Sequence, residues 1–84
     1  MEALNYMEAL KLFKEYEPIR SIYETEDEYI CVPERKDAEP LAVFYDKKLG
    51  QYETKFFYED KDNSIVDAIE NGTLIYGQPM NYRD

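Results

Sequence analysis

Chemistry at a protein surface needs a nucleophile, a proton acceptor or a metal ligand, and this chain holds few of them. Cys31 is its single cysteine and sits in the run YICV at 29–32, so no intrachain disulfide can form. A reactive thiol wants a base, a cation or a helix N-terminus beside it to lower its pKa. A run of apolar residues supplies none, and Cys31 reads as a small buried hydrophobe. The chain has no histidine. That removes the commonest general base and metal ligand, and with it the Ser-His and Cys-His pairings.

DKDNS at 60–64 starts like a calcium loop, with Asp60, Asp62 and Ser64 at the first, third and fifth positions. The sixth position should be Gly and is Ile65; the twelfth should be Glu and is Asn71. The segment therefore reads as a solvated loop that caps a helix. Paired carboxylates can serve as acid and base, as in glycosidases. Nineteen Asp and Glu among 84 residues make some close pair unavoidable, so such a pair is not specific. There is no glycine-rich phosphate loop and no zinc spacing. The chain reads as a non-enzyme with no catalytic residue, metal site or cofactor. A small enzyme using carboxylates is the remote alternative.

What the chain does concentrate is negative charge. Ten Lys and Arg face nineteen acids, a net charge of −9. Such a balance argues against direct nucleic-acid or anionic-membrane binding, which need a basic footprint. It favours attraction to basic protein surfaces. The acids group at Glu15 and Glu17, at Glu24 to Glu28, and at Glu59 to Asp62. The middle group lies in IYETEDEYI, residues 22–30, which mirrors itself about Glu26. If Tyr23 pairs with Tyr29 across a hairpin, Ile22 falls opposite Ile30 and Glu24 opposite Glu28. Like charges directly opposite are unfavourable, so the ladder is expected to close at the tyrosines and leave 24–28 as a five-residue loop. The expected partner-binding residues are Glu24, Glu26, Asp27 and Glu28 with Tyr23 and Tyr29, and Glu59, Asp60 and Asp62 in the second loop. Tyrosine is enriched at protein interfaces.

These residues need elements to position them. Apolar residues Tyr6, Leu10 and Phe13, flanked by Met7 and Ala9, recur at helical spacing and predict a helix over 5–16, with Asn5 and Glu8 as a capping box. Pro18 ends it, because the residue before a proline avoids the helical region. Runs rich in Ile, Tyr and Val predict strands at 19–24 and 29–33, a third at 41–45 and a fourth at 51–58. The fourth is aromatic on both faces, so its core side stays open. Residues 33–40 form a polar connector between prolines. Residues 46–50 form a turn started by Asp46, with Gly50 in a left-handed position. Ser64 and Asp67 start a short helix over 65–71, capped by Gly72. Residues 73–76 read as a short fifth strand or a packed extension. The expected fold is α+β: one domain over 1–76 and a flexible tail over 77–84. Its antiparallel sheet has four or five strands, with both helices on one face.

The high aromatic content, 15%, sets the chain apart from disordered acidic tails. The N-terminus lacks the basic region of a signal peptide, and no stretch reaches the length of a membrane span. The default location is cytoplasmic. The function expected is a non-catalytic acidic protein-binding module. Its sharpest version is a DNA-mimicking inhibitor of a nucleic-acid-binding protein, since nineteen acids are of the order of the phosphates such a domain would replace. In size and charge the chain is similar to small acidic α+β proteins of mobile elements, including inhibitors of bacterial defence nucleases. An antitoxin, immunity-type or structural partner protein is the alternative.

Overall fold

The computed structural model describes residues 2–35 and 39–79, with side chains from residue 7 onward. Helix α1 spans Glu2–Leu12 and a 3-10 turn follows at Lys14–Tyr16. Strands β1 (Ile19–Glu24), β2 (Glu28–Pro33), β3 (Leu41–Asp46) and β4 (Gln51–Phe56) come next. A second 3-10 turn, Phe57–Glu59, leads to α2 (Ser64–Asn71) and β5 (Thr73–Gly77). The five strands form one sheet in the order β4-β3-β2-β1-β5, antiparallel throughout. The α+β class is as the sequence implies. The radius of gyration is 11.9 Å, close to the roughly 12 Å that a chain of this length requires.

The two helices do not share a face. Ala9 of α1 and Phe13 just after it pack on Ile22, Tyr29, Cys31, Leu41 and Val43. Ile65 and Ile69 of α2 pack on Tyr23, Ile30, Val32, Ala42 and Phe44. Successive strand residues point to opposite sides, so β1, β2 and β3 feed two cores, one under each helix. Continuous burial from Tyr29 to Pro33 and from Leu41 to Phe44 follows from this. Strands covered on both faces read as unbroken apolar runs rather than alternating ones. The placing of both helices on one side is thereby corrected: the apolar residues of β2 and β3 outnumber the positions of a single face.

Two-sided burial also decides the hairpin register. Glu24 pairs with Tyr29, Tyr23 with Ile30 and Ile22 with Cys31. The ladder is one residue out from the mirror pairing, and a slip of one residue sends every side chain to the other face. Tyr23 therefore lies under α2 and Tyr29 under α1, and they are not cross-strand neighbours. The slip puts Tyr29 opposite Glu24, which removes the like-charge pairing by a different route from the one expected.

Element ends differ in smaller ways. α1 stops at Leu12, before the 3-10 turn, and Glu17 is extended ahead of Pro18. Asn5 lies inside α1 and so does not cap it; its side chain is outside the described residues. β4 ends at Phe56, and Phe57 and Tyr58 belong to the following 3-10 turn. The α1 side is the better packed face of β4: Tyr52 meets Phe13 edge-on at 6.0 Å and Tyr45 at 4.9 Å, and its hydroxyl donates to Leu12 O at 2.9 Å. In the β3–β4 turn, Asp46 Oδ1 accepts from the backbone of Lys48 and Leu49, and Gly50 is left-handed at φ 65°. Gly72 caps α2 with an extended backbone. A Cβ there would be a tight fit, 3.3 Å from Tyr23 Cβ and 3.2 Å from Ala68 O. β5 continues through Gly77, and Gln78 N–H donates to Arg20 O at 3.1 Å, so the chain stays tied to β1 beyond residue 76. Residues 36–38 of the connector and 80–84 of the expected tail are outside the described residues.

Candidate functional site

The hairpin tip is tighter than a five-residue loop. Thr25 N–H donates to Glu28 O at 2.9 Å, leaving Glu26 and Asp27 alone at the apex. A two-residue turn normally needs glycine or asparagine. Here Thr25 Oγ1 accepts the Glu28 N–H at 3.0 Å in place of the Thr25 carbonyl. A hydroxyl substituting for a backbone acceptor is the usual service of Ser and Thr in turns. The carbonyl it releases is taken by Lys47, whose Nζ lies 2.9 Å from Thr25 O and 2.8 Å from Glu24 Oε2. The same ammonium stands 4.7 Å from the centre of the Tyr29 ring, and Lys47 N–H donates to Asp27 O at 3.0 Å. Lys47 therefore clamps the β3–β4 turn onto the β1–β2 tip. Sequence reasoning missed it, because its partners lie eighteen to twenty-three positions away and nothing in DKKLG marks one lysine over the other.

The clamp separates the expected binding residues by role. Glu24 is committed to Lys47. Tyr23 and Tyr29 are buried, at 4% and 7% exposure, one in each core. Glu26 and Asp27 are exposed at the apex. Glu28 pairs with Asp46 in register, and Phe44 with Glu53. Glu28, Asp46 and Glu53 thus share the α2 side of the sheet at its tip end, around a shallow depression with Phe44 in its wall. Burial pushes the Glu28 carboxyl above its ordinary pKa; Lys55 pulls it back, while Asp46, Asp27 and Glu53 push it further. The carboxylates of three strands therefore sense one another here. Asp46 and Glu53 were not among the residues singled out from the sequence; only strand register could have grouped them with Glu28.

The second acidic group does different work. Asp60 Oδ1 accepts from Ser64 Oγ at 2.8 Å and Oδ2 from Ile65 N–H at 2.9 Å, while Asp62 Oδ1 accepts from Ser64 N–H at 3.2 Å. These bonds satisfy N–H groups that the first turn of α2 would leave unpaired. The cap is supplied by these aspartates, with Asn63 at the N-cap position and Ser64 already helical. Burial alone would raise the Asp60 carboxyl, but the hydrogen bonds from Ser64, Ile65 and Val66 hold it below its ordinary value. Glu59 is exposed. This group stands at the Leu41–Phe56 end of the sheet, the opposite end from the hairpin tip.

Between α1 and the sheet, Glu8, Lys11, Leu12, Tyr29, Tyr45 and Lys47 line an open groove of about 490 Å³. Its floor is the stacked Tyr29–Tyr45 pair, with ring centres 6.5 Å apart. Cys31 is wholly buried, and burial pushes its thiol up to about 12, the reverse of activation. Among the described residues no three Cys, Asp or Glu converge as metal ligands, and no helix is long and apolar enough to cross a membrane. No family model, curated protein or solved structure matches the chain.

Proposed function

We propose that this chain is a non-catalytic binding module that presents the tip end of its sheet to a basic protein surface. The observation that carries the reading is the convergence of Glu26, Asp27, Glu28, Asp46 and Glu53 at one end of β2, β3 and β4. The Lys47 clamp supports it, because a tip held in place loses less conformational freedom on binding than a mobile loop. Acidic groups placed this way steer encounter with a cationic partner more than they add affinity at contact. The DNA-mimicking version asks for more. It requires the tip and the Glu59–Asp62 loop to be engaged together, although a six-residue strand, about 20 Å, lies between them.

The test is association kinetics. A partner recovered by affinity purification and mass spectrometry is passed over immobilised wild type and the variant Glu26→Lys/Asp27→Lys, at low and high salt. The variant changes net charge from −9 by four units, to −5. Folding should survive, since both side chains are exposed at the hairpin apex. The expected result is an on-rate that falls with salt for wild type and is about tenfold lower for the variant at low salt. A flat salt response with equal on-rates would sink the proposal. Competition by duplex DNA for the same partner would select the mimic version.

A further inference from the structure

The sheet ends in two edges of different character. β5 pairs with β1 through a register shift between Ile22 and Tyr23 and closes on the left-handed Gly77. Such irregularity blunts an edge. β4 pairs with β3 in unbroken register from Gln51 to Phe56 and contains neither proline nor glycine. The phase of that ladder follows from Phe57 N–H donating to Pro40 O at 3.2 Å. Hydrogen-bonded and non-bonded pairs alternate along an antiparallel ladder, so Gln51, Glu53 and Lys55 bond to β3. The N–H and C=O groups of Tyr52, Thr54 and Phe56 then point outward. Gln51, Tyr52, Glu53 and Thr54 are all exposed.

We propose that a second copy of this chain covers that edge, antiparallel, about a twofold axis at Thr54. The outward groups admit an axis on any residue of the strand; axes at Tyr52 or Phe56 would pair only one end of it, and charge chooses among the rest. An axis at Glu53 would set Glu53 against its own copy, and an axis at Lys55 would oppose two lysines. Like charges directly opposite are unfavourable. An axis at Thr54 puts Glu53 opposite the partner copy's Lys55 twice over. It sets Tyr52 beside Phe56 twice over and leaves Thr54 bonding to Thr54. That is the hydrogen-bonded phase the outward groups require. The segment YETKF, aromatic-acid-Thr-base-aromatic, is thus complementary to its own reversed copy. The same edge gathers exposed apolar side chains: Leu49, Tyr52 and Tyr58 are 68%, 44% and 63% exposed. Glu26 and Asp27 lie in the β1–β2 turn, away from this edge. Glu53 is shared with the acidic surface proposed above, and sedimentation of the chain alone reads the pairing whether or not that surface binds a basic partner. Repulsion between two bodies of charge −9 is screened beyond about 8 Å at physiological salt.

Sedimentation equilibrium of the full chain from micromolar to millimolar concentration, at 150 mM salt, tests the proposal with four variants. Glu53→Lys brings the net charge from −9 to −7, Lys55→Glu to −11, and the double exchange back to −9. Repulsion between whole molecules predicts that Glu53→Lys tightens association and Lys55→Glu loosens it. The twofold pairing predicts that each single exchange weakens the dimer about tenfold or more, because both copies of the pair turn repulsive. The double exchange should then restore it to within about threefold. Thr54→Pro removes an outward donor while leaving the β3 ladder whole, and should yield a folded monomer by circular dichroism. Lys55 also stands 5.0 Å from the Phe44 ring, so its exchange has a cost within the domain. Glu53→Lys and Thr54→Pro decide the matter if that variant fails to fold. A wild type that stays monomeric at millimolar concentration overturns the proposal. So does a dimer that tolerates Thr54→Pro, or single exchanges that act in opposite directions.

Discussion

Cys31 shows how one residue's chemistry is set by its neighbours. It lies in the central strand, under α1, among Ala9, Phe13, Ile22 and Val43. Burial there disfavours the thiolate and lifts the pKa from 9.0 to about 12. The native protein should resist iodoacetamide at pH 8 and react fully once unfolded, as a thiol assay would read. Cys31→Ala should cost about 1–2 kcal/mol in urea unfolding, as expected for a small buried group. The linkage sign is definite. A group whose folded pKa is raised contributes stability below its unfolded value and loses it as pH climbs toward the folded value. Wild type should therefore lose stability relative to Cys31→Ala from about pH 9 upward. Rapid labelling of the folded state, or parallel pH curves for the two proteins, would contradict this account.

At the scale of elements, the segment most exposed to test is the start of α2. Eight residues are too few to hold a helix without packing and caps. Ile65 and Ile69 supply the packing, and Asp60 and Asp62 the caps. Asp60→Ala should destabilise the domain by about 1 kcal/mol at pH 7, the usual cost of losing an N-cap acceptor. The Asp60 carboxyl is held below its ordinary 3.8. Its contribution is therefore present above that value and fades as pH falls through the lowered one. The gap between wild type and variant should narrow below about pH 4, measured by thermal unfolding across pH 2–7. An unchanged gap at pH 2 would mean that Asp60 acts by shape and not by charge. The element reading from sequence was sound in placing a capped helix after EDKDN and misjudged which residue caps it. Asp60, four positions before the first helical residue, reaches Ser64 and Ile65 across a loop in which Asn63 has a left-handed backbone, φ 59°.

Across the whole molecule, excess charge opposes compaction. Nine net negative charges sit on a body measuring 33 × 24 × 21 Å. Salt should raise the unfolding midpoint between about 10 and 500 mM, since screening shortens the Debye length from about 30 Å to under 10 Å. The Glu24–Lys47 pair works the other way, because salt weakens an attraction. A midpoint that falls with salt would mean that such local pairs outweigh net repulsion. Thermal scans at dilute concentration, with sodium chloride and sodium sulfate compared, separate screening from salting-out.

Composition and spacing by themselves determined that this is a small α+β domain, where its strands run, that Gly50 is left-handed, and that Cys31 belongs to a core. Those are local properties: apolar runs, turn residues and proline act through neighbours a few positions away. The sequence could not determine which face each residue serves. In β2 both faces are apolar, so YICV fits either register, and the mirror symmetry of IYETEDEYI favours the wrong one. The tertiary structure settled this with a helix on each side of the sheet, which puts Tyr23 and Tyr29 in separate cores. It also chose Lys47 over Lys48 as the clamp and gathered Glu28, Asp46 and Glu53 from three strands. Each of those outcomes depends on strand pairing between residues far apart in the chain, and pairing is fixed only when the whole sheet closes around its two cores.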